Sequence, residues 1–447
     1  MPEKLITAPE GVKPSRLYVW GVLLALMLLN ALNYVDRQIL AVLVVPIKAE
    51  LELSNMQIGL LSGFAFATFY ALFGIPIAWL ADRGNRVWLL SGCLAVWSGM
   101  TALCGTAQSF GQMFLFRIGV GVGEAGCSPA AQSLISDYVP RERRAIALSF
   151  YALGIPAGSF IGLAVGGFIA QNYGWRAAFM TVGLPGLAIA ILMPLLLREP
   201  RRSAVEKEAP PPVMETLRGL MRSRAYMHTM ATGSLTSVLN FGSGYFLGFF
   251  FNVVHGRSLA ETGLQLAVVM GLGWAIGIGL GGVLADRAQK VHPSGLGRVP
   301  AWALLIGLPF ALAGYFVEDG NIAMVLLLFP TALNSFFFGP GYAIVQGVAT
   351  ARTRAMSLAI FMLVANLIGI GLGPAFVGGL TDLLSNHFLG ADFAVRCATD
   401  AASPATACHA AEVAARRWAL ALTSLLSLWA AFHLFRAARA LPSEMVH

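Results

Sequence analysis

Charge is what this sequence has least of. Asp, Glu, Lys and Arg together make up 12% of the 447 residues, against roughly 25% in soluble proteins. No soluble core of this size needs so much apolar sequence, so a soluble fold is excluded. Histidine is sparse as well: His228, His255, His292, His387, His409, His433 and His447 all fall in loops or near predicted helix ends. No HExxH, CxxC or GxSxG pattern occurs, and no phosphate-binding loop. This removes zinc hydrolysis, dithiol redox chemistry, serine hydrolysis and ATP-driven pumping. Cys127 has no histidine at its depth to activate it, so an intramembrane enzyme is not expected, nor is a cofactor or a metal. A signal peptide is missing too, because residues 1–15 are polar and the first apolar run, 17–45, is too long for one.

Cysteine is scarce but placed unevenly. Cys93, Cys104 and Cys127 sit in apolar runs and read as small buried hydrophobes. Cys397 and Cys408 share one polar loop and can form a disulfide if that loop faces an oxidising space.

What the chain does have is hydrocarbon: 57% hydrophobic residues, 49 Gly and 28 Phe, with a mean hydropathy of +0.71. Apolar segments of spanning length fall near 17–45, 55–81, 86–106, 110–137, 144–170, 176–197, 226–254, 261–285, 299–317, 322–348, 355–384 and 413–437. The fold class is therefore an all-α membrane protein with twelve transmembrane helices. The stretch 198–225, rich in charge and proline, divides the chain into two pseudo-symmetric bundles of six, 1–197 and 226–447. With the N-terminus inside, 22 Lys and Arg fall in cytoplasmic segments and 6 outside, while Arg37 and Arg117 lie within spans. This bias puts both termini in the cytoplasm of a plasma (inner) membrane protein. The net charge of +8 reports topology and does not call for nucleic acid.

The halves repeat. Leu80-Ala-Asp82-Arg83 closes the second span and Leu284-Ala-Asp286-Arg287 the eighth. Gly158, Gly162, Gly166 and Gly167 in the fifth span match Gly369, Gly373, Gly378 and Gly379 in the eleventh. Signals recurring at one place in each half imply duplication, and paired six-helix halves are a standard layout for secondary transporters.

Against this apolar background, charge at membrane depth stands out, because it is costly and rarely faces lipid. Arg117 and Glu124 lie seven residues apart in the fourth span, nearly two turns, so both leave one helix face roughly 10 Å apart along the axis. Gly121 and Ser128 share that stripe, and Gly119, Gly123 and Gly126 fall opposite, where close helix packing explains them. Asp36, counted outward along the first span, lies at a depth that allows it to pair with Arg117. Glu124 then competes for the same guanidinium. Arg37 points about 100° away from Asp36, on a stripe with Tyr34, and either snorkels outward or lines a cavity. Desolvation favours a protonated carboxyl and a nearby guanidinium an ionised one. An arginine moving between Asp36 and Glu124 therefore changes which carboxyl holds a proton. A static ion pair holding helices together is the competing reading.

In the second half no charge is expected at depth. Asn240, Asn334 and Asn366 offer hydrogen bonds, and Tyr245, Phe338 and Phe361 offer aromatic surface. Together with Asn33, Tyr34, Arg37, Gly121 and Ser128 they are the candidate substrate cavity: charged on one side, aromatic and apolar on the other, as an amphipathic substrate requires. Asp82, Arg83, Arg86, Asp286 and Arg287 are the candidate conformational latch, through charge and helix-dipole contacts at the ends of helices.

Over nearly its whole length the chain resembles the Major Facilitator Superfamily. Ala78-x-Leu80-Ala-Asp82-Arg83-Gly-Asn-Arg86 is similar to the family's loop motif, with Ala78 and Asn85 where glycines are usual. Arg117-x-x-x-Gly121-x-Gly123 resembles the fourth-helix motif, whose arginine is associated with proton coupling. The glycines of the fifth span resemble the antiporter motif, with Leu163 in place of its proline. Asn33-Tyr34-Val35-Asp36-Arg37 and Gly121-Val-Gly123-Glu124-Ala125 resemble the spinster-like branch. That resemblance implies alternating access driven by protons, through Asp36, Arg117 and Glu124, with a lysophospholipid or sphingoid phosphate as substrate, in a monomer of prokaryotic origin. Efflux of hydrophobic drugs, transport of organic anions, and an uncoupled lipid scramblase are the alternatives.

Overall fold

The computed structural model describes residues 15–140, 143–200, 213–350, 353–389, 397 and 407–445. Among them every regular element is a helix. A chain this apolar has no alternative short of a closed barrel, because a backbone in hydrocarbon must satisfy its own hydrogen bonds. Among the described residues ten helices are long and apolar enough to cross a membrane, and the shortfall from twelve has two local causes. α8, Gly154–Leu196, runs for 43 residues but passes through Gly174 at φ 83 and ψ 161. Only glycine adopts that backbone without strain, and it joins two spans end to end. The expected fourth span is split into α5, Phe110–Glu124, and α6, Cys127–Tyr138, with a turn at Ala125 and Gly126.

Several of the remaining spans begin where the sequence supplies a cap. α1 is Arg16–Glu50. α2, Asn55–Gly59, starts with Ser54 and Gln57 in a reciprocal capping box, passes through a π-helical turn at Leu60–Phe64, and continues as α3, Ala65–Arg83. Asn85 accepts hydrogen bonds from the Val87 and Trp88 amides to open α4, Arg86–Cys104, and Ser109 caps α5. α7 is Arg144–Ala152 and α9 is Val213–Arg222. In the second half Ser223 caps α10, Arg224–Ser237, which leads through a π turn into α11, Ser243–Phe249. Ser258 and Glu261 box the start of α12, Leu259–Leu266, which continues through a π turn into α13, Gly273–Val291. α14 is Gly295–Phe316, and Asp319 caps α15, Gly320–Ser335. α16, Phe338–Gly347, and α17, Arg354–Asn366, follow. A π turn at Leu367–Leu372 leads into α18, Gly373–Leu389, and the chain ends with α19, Ala407–Ser424, and α20, Leu426–Glu444. Each cap satisfies amides that no intrahelical carbonyl can reach.

The chain forms two compact units. The first comprises Met1–Leu40 and Ala65–Glu206, and the second Ala41–Phe64 and Lys207–His447. The segment 41–64, which the sequence alone assigns to the first bundle, thus packs with the second unit. Within the first unit the glycines of α8 let it approach α1: a Cβ at Gly158 or Gly162 would run into the backbone of Ala31 or Val35. Within the second unit Gly369 and Gly373 do the same against Ser237 and Gly242. The repeated glycine series has one job in both places, close backbone packing. Large apolar side chains such as Leu115, Ile191, Leu195 and Trp429 remain more than half exposed, which suits a surface solvated by lipid. The Cys397–Cys408 disulfide is formed, and Cys93, Cys104 and Cys127 are buried free thiols.

Candidate functional site

The first unit buries four charged groups together. Asp36 and Arg37 come from α1, Arg117 and Glu124 from α5. Asp36 and Arg117 are each 1% exposed in their side chains and 3.6 Å apart between Oδ1 and Nη1. Thr101 of α4 donates its hydroxyl to the other oxygen of Asp36. Glu124 pairs with Arg37 instead, Nε to Oε2 at 2.6 Å. The expected contest of Asp36 and Glu124 for Arg117 is therefore resolved into two separate pairs. Consecutive residues on α1 point about 100° apart, so Asp36 and Arg37 meet α5 at different heights.

Aromatic rings surround the guanidinium groups. Arg37 Cζ lies 5.2 Å from the Tyr34 ring centroid, and 4.9 Å from each of Phe66 and Tyr70. Arg117 Cζ lies 5.7 Å from the Phe66 ring centroid, within the range of a cation–π contact. Phe66 is thus shared by both cations. Gly121 is what brings it there: a Cβ at that position would collide with the Phe66 backbone. Gly121 therefore serves close packing of α5 against Phe66.

The four charges cancel, yet their hydrogen bonding is incomplete. Asp36 Oδ1, Glu124 Oε1, Arg117 Nε and Nη1, and Asn33 Nδ2 have no hydrogen-bond partner among the described residues. Buried polar atoms left this way are unusual and mark places where water, a proton or a ligand is accommodated. Glu124 is also the last residue of α5, directly before the turn, where the helix's carbonyl dipoles disfavour added negative charge. Arg37 is therefore its main compensation, and of the four side chains Arg37 alone is appreciably exposed, at 17%. Ser128, in α6, is half-buried beyond the turn.

The latch residues divide. Arg86 is 2% exposed and is the hub. Its Nε donates to Glu199 at 2.7 Å, and its Nη1 donates to Asp137 at 2.6 Å and to Ser133 at 2.8 Å. Glu199 also accepts from the Arg86 and Val87 amides at 2.8 and 3.2 Å. The start of α4, the end of α6 and the segment after α8 are thereby tied together. Glu199 lies in the Arg-Glu-Pro-Arg stretch read as linker, and Asp137 at the end of an apolar span, so neither was expected. Arg83 is exposed, and the Asp82 side chain lies outside the described structure. Asp286 and Arg287 do not end a helix as expected: α13 continues past them to Val291, and both are exposed.

In the second unit, Asn240 and Asn334 line a small cavity of about 40 Å³, together with Ser243, Trp274, Tyr315 and Ser424. Trp274 Nε1 has no partner there. This cavity brings the expected Asn240 and Asn334 together against apolar walls that include Leu239, Leu247, Met270 and Leu327. Phe361 does not face it; the ring belongs to a core cluster with Tyr226, Phe337 and Leu434. Tyr245 is 7% exposed, and Phe338 and Asn366 are half-buried; none of the three lines this cavity. The second half is not free of buried charge either. Glu412 and Arg416 of α19 are 7% and 2% exposed and joined at 2.5 Å. The hydropathy boundary at 413 hid Glu412, because the helix begins at Ala407, and Arg416, just inside that boundary, counts with the outer side in the sequence.

Comparison with known proteins supplies the family. The Major Facilitator Superfamily profile matches residues 26–374. The chain belongs to the Major Facilitator Superfamily. An MFS-type efflux pump of Mycolicibacterium smegmatis is 35% identical over 389 residues, 86% of this chain and 90% of that protein. Protein spinster of Drosophila melanogaster is 26% identical over 404 residues, 85% of this chain and 65% of that one. The crystal structure of a bacterial homolog to the human lysosomal transporter Spinster, in an inward-facing and unoccupied conformation, superposes with a TM-score of 0.88 at 30% identity, covering 97% of this chain and all of that one. The protein is a spinster-like, multi-pass membrane transporter of this superfamily.

Proposed function

We propose that this transporter moves an amphipathic, lipid-like anion, a lysophospholipid or sphingoid phosphate, by proton-coupled alternating access. It acts as a monomer in a plasma (inner) membrane with both termini in the cytoplasm. The observation that carries the reading is the pair of buried ion pairs, Asp36–Arg117 and Glu124–Arg37, with their incomplete hydrogen bonding. Arg37 receives the anionic head, because it is the less buried of the two guanidinium groups. The rings of Tyr34, Phe66 and Tyr70 beside it give apolar surface to the adjoining hydrocarbon.

Coupling follows from charge balance. With Arg37 engaged by a phosphate, Glu124 is left buried at a helix C-terminus without its cation. Burying an uncompensated carboxylate is costly enough that it takes up a proton instead. Asp36 keeps Arg117 and Thr101 and responds when Arg117 shifts. Substrate and proton are thereby bound at the same time and cross together, whichever way the cycle runs.

A second reading is efflux of hydrophobic drugs, favoured by the similarity to the mycobacterial efflux pump. Purified protein in liposomes with an imposed pH gradient separates them. Accumulation of a fluorescent lysolipid against its concentration, abolished by Glu124→Gln, supports the proposal. Accumulation of dyes but not lysolipids supports the second reading, and lipid equilibration without any gradient supports an uncoupled scramblase.

A further inference from the structure

Two histidines that the coupling site does not use meet in the second unit. His228 comes from the start of α10 and His433 from α20, and their Nδ1 atoms lie 2.8 Å apart. The ring centroids are 5.0 Å apart, with the planes tilted by 42°. At that separation one Nδ1 carries a hydrogen and the other offers its lone pair, so both nitrogens aim at one point. The two side chains are half-buried. Trp429 and Phe432, each more than half exposed, flank His433 with ring centroids at 5.9 and 5.5 Å. The charged groups that act on His228 are Arg436, Glu444 and Arg224. Both arginines are exposed, so solvent and salt screen their repulsion of a further cation.

The helices that carry the two rings are fixed to each other on both sides of the pair. On one side Glu444 of α20 accepts from the Ser223 hydroxyl at 2.6 Å, and from the Arg224 and Ala225 amides at 3.2 and 3.0 Å. On the other side the Thr232 hydroxyl, one turn beyond His228, donates to the Ala430 carbonyl at 3.3 Å. Between these ties Tyr226, Ala430, Ala431 and Leu434 share one core cluster. Side chains on packed helices are placed more precisely than side chains on loops, so the two imidazoles are brought together in advance of any ligand. All of these residues belong to the second unit.

We propose that His228 and His433 form a binding site for a transition metal ion of the zinc, nickel or copper class. Neutral imidazole is the commonest protein ligand of such ions. One Nδ1 already offers its lone pair; the other does so once its hydrogen moves to Nε2, and no net proton need be lost. Tetrahedral coordination at about 2.0–2.1 Å sets two ligand nitrogens about 3.3 Å apart, so the rings part by roughly 0.5 Å. Half-buried side chains can make that adjustment. The protein supplies two ligands, and water or a small anion fills the remaining positions, so the ion exchanges with solvent and joins α10 to α20 while bound. Mg2+ and Ca2+, which take oxygen ligands, are refused. No local spacing in the sequence marks the site, because its two ligands stand 205 residues apart.

Titration calorimetry on the full-length protein in detergent tests it, with the protein purified through a tag free of histidine and Zn2+, Ni2+, Cu2+ and Mg2+ each added alone. Wild type is expected to bind one transition metal ion per chain, Cu2+ most tightly, with a rise in melting temperature as the ion is added and no response to Mg2+. His228→Gln and His433→Gln are each expected to weaken binding at least about tenfold, since even the loss of a group that only orients a ligand costs that much. Their melting temperatures without metal should stay near that of wild type. Absence of saturable binding in wild type overturns the proposal, because the pair is then a hydrogen bond and nothing more. Binding that survives in either variant at wild-type strength overturns it too, because the ion then sits elsewhere. If a variant fails to fold, electron spin resonance of Cu2+-loaded wild type decides: coupling to two imidazole nitrogens supports the site, and coupling to one or none overturns it.

Discussion

At the scale of single residues, the site is held by paired charges whose value lies in being paired. Removing one partner of a buried ion pair leaves a stranded charge and costs about 3–5 kcal/mol, whereas replacing both is often nearly neutral. Arg37→Met is therefore expected to lower thermal stability strongly, and Arg37→Met with Glu124→Gln to recover most of it. Neither variant transports against a gradient. Melting curves in detergent check the stability cycle, and additive losses would show that Arg37 and Glu124 do not depend on each other. Gly121 makes a separate case. Gly121→Val drives a branched side chain into the Phe66 backbone and is expected to cost about 1–3 kcal/mol, the usual price of overpacking. It also displaces the ring both guanidinium groups share, so transport falls even in protein that is still folded.

The residue scale is also where sequence reasoning was least complete. Hydropathy located Asp36, Arg37, Arg117 and Glu124 at depth because such charges interrupt an apolar run. It did not decide who pairs with whom, because a helical projection gives azimuth about one axis and says nothing of the neighbouring helix. Arg37 was set apart from Asp36 by its 100° offset, and that same offset is what lets it reach Glu124. Thr101 carried no signal, since a threonine in a span is ordinarily a local back-bonder. Glu412 was missed because hydropathy sets the helix start where apolarity begins, while a polar first turn belongs to the helix as well.

At the scale of elements, hydropathy places the spans, and the structure supplies their caps and their ties. Ser54, Asn85, Ser109, Ser223 and Ser258 each accept from an amide of the first turn that follows. Arg86 is different: its partners Asp137 and Glu199 lie 51 and 113 residues away. Arg86→Ala is expected to release the start of α4 from α6 and the end of α8, and to leave two partly buried carboxylates without their cation. Faster hydrogen exchange confined to the starts of α4 and the ends of α6 and α8 would be the signature. Uniform exchange across the first unit would instead mean global destabilisation.

Asp319, outside the membrane spans, gives a pH test at the same scale. The Asn321 and Ile322 amides at the start of α15 hold its carboxyl below its ordinary value of 3.8. A carboxyl depressed on folding contributes stability above its unfolded value and loses it as pH falls through the folded one. The α15 cap is therefore expected to weaken below about pH 4. Asp319→Asn, which still caps, should flatten that part of the melting-temperature profile without lowering its neutral value. A profile as steep in the variant as in wild type would remove Asp319 from the account.

At the scale of the whole molecule, composition had already decided that this chain spans a membrane, and the repeated Leu-Ala-Asp-Arg and glycine series that it does so twice over. The duplication is one of helices and their packing, and the two halves differ in their charges. The first unit keeps the coupling pairs and the Arg86 tie, while Asp286 and Arg287 lie exposed on an uninterrupted helix. The second unit keeps the small cavity lined by Asn240 and Asn334 and the His228–His433 pair. Such a division assigns proton coupling to the first unit, and one flux assay tests it. Glu124→Gln should abolish accumulation driven by a pH gradient while leaving counterflow, the exchange of labelled for unlabelled substrate, within about twofold of wild type. Exchange needs the carrier to alternate but does no net proton work. If Glu124→Gln suppresses counterflow as severely as driven uptake, Glu124 serves substrate binding or the structure itself, and protons must enter elsewhere.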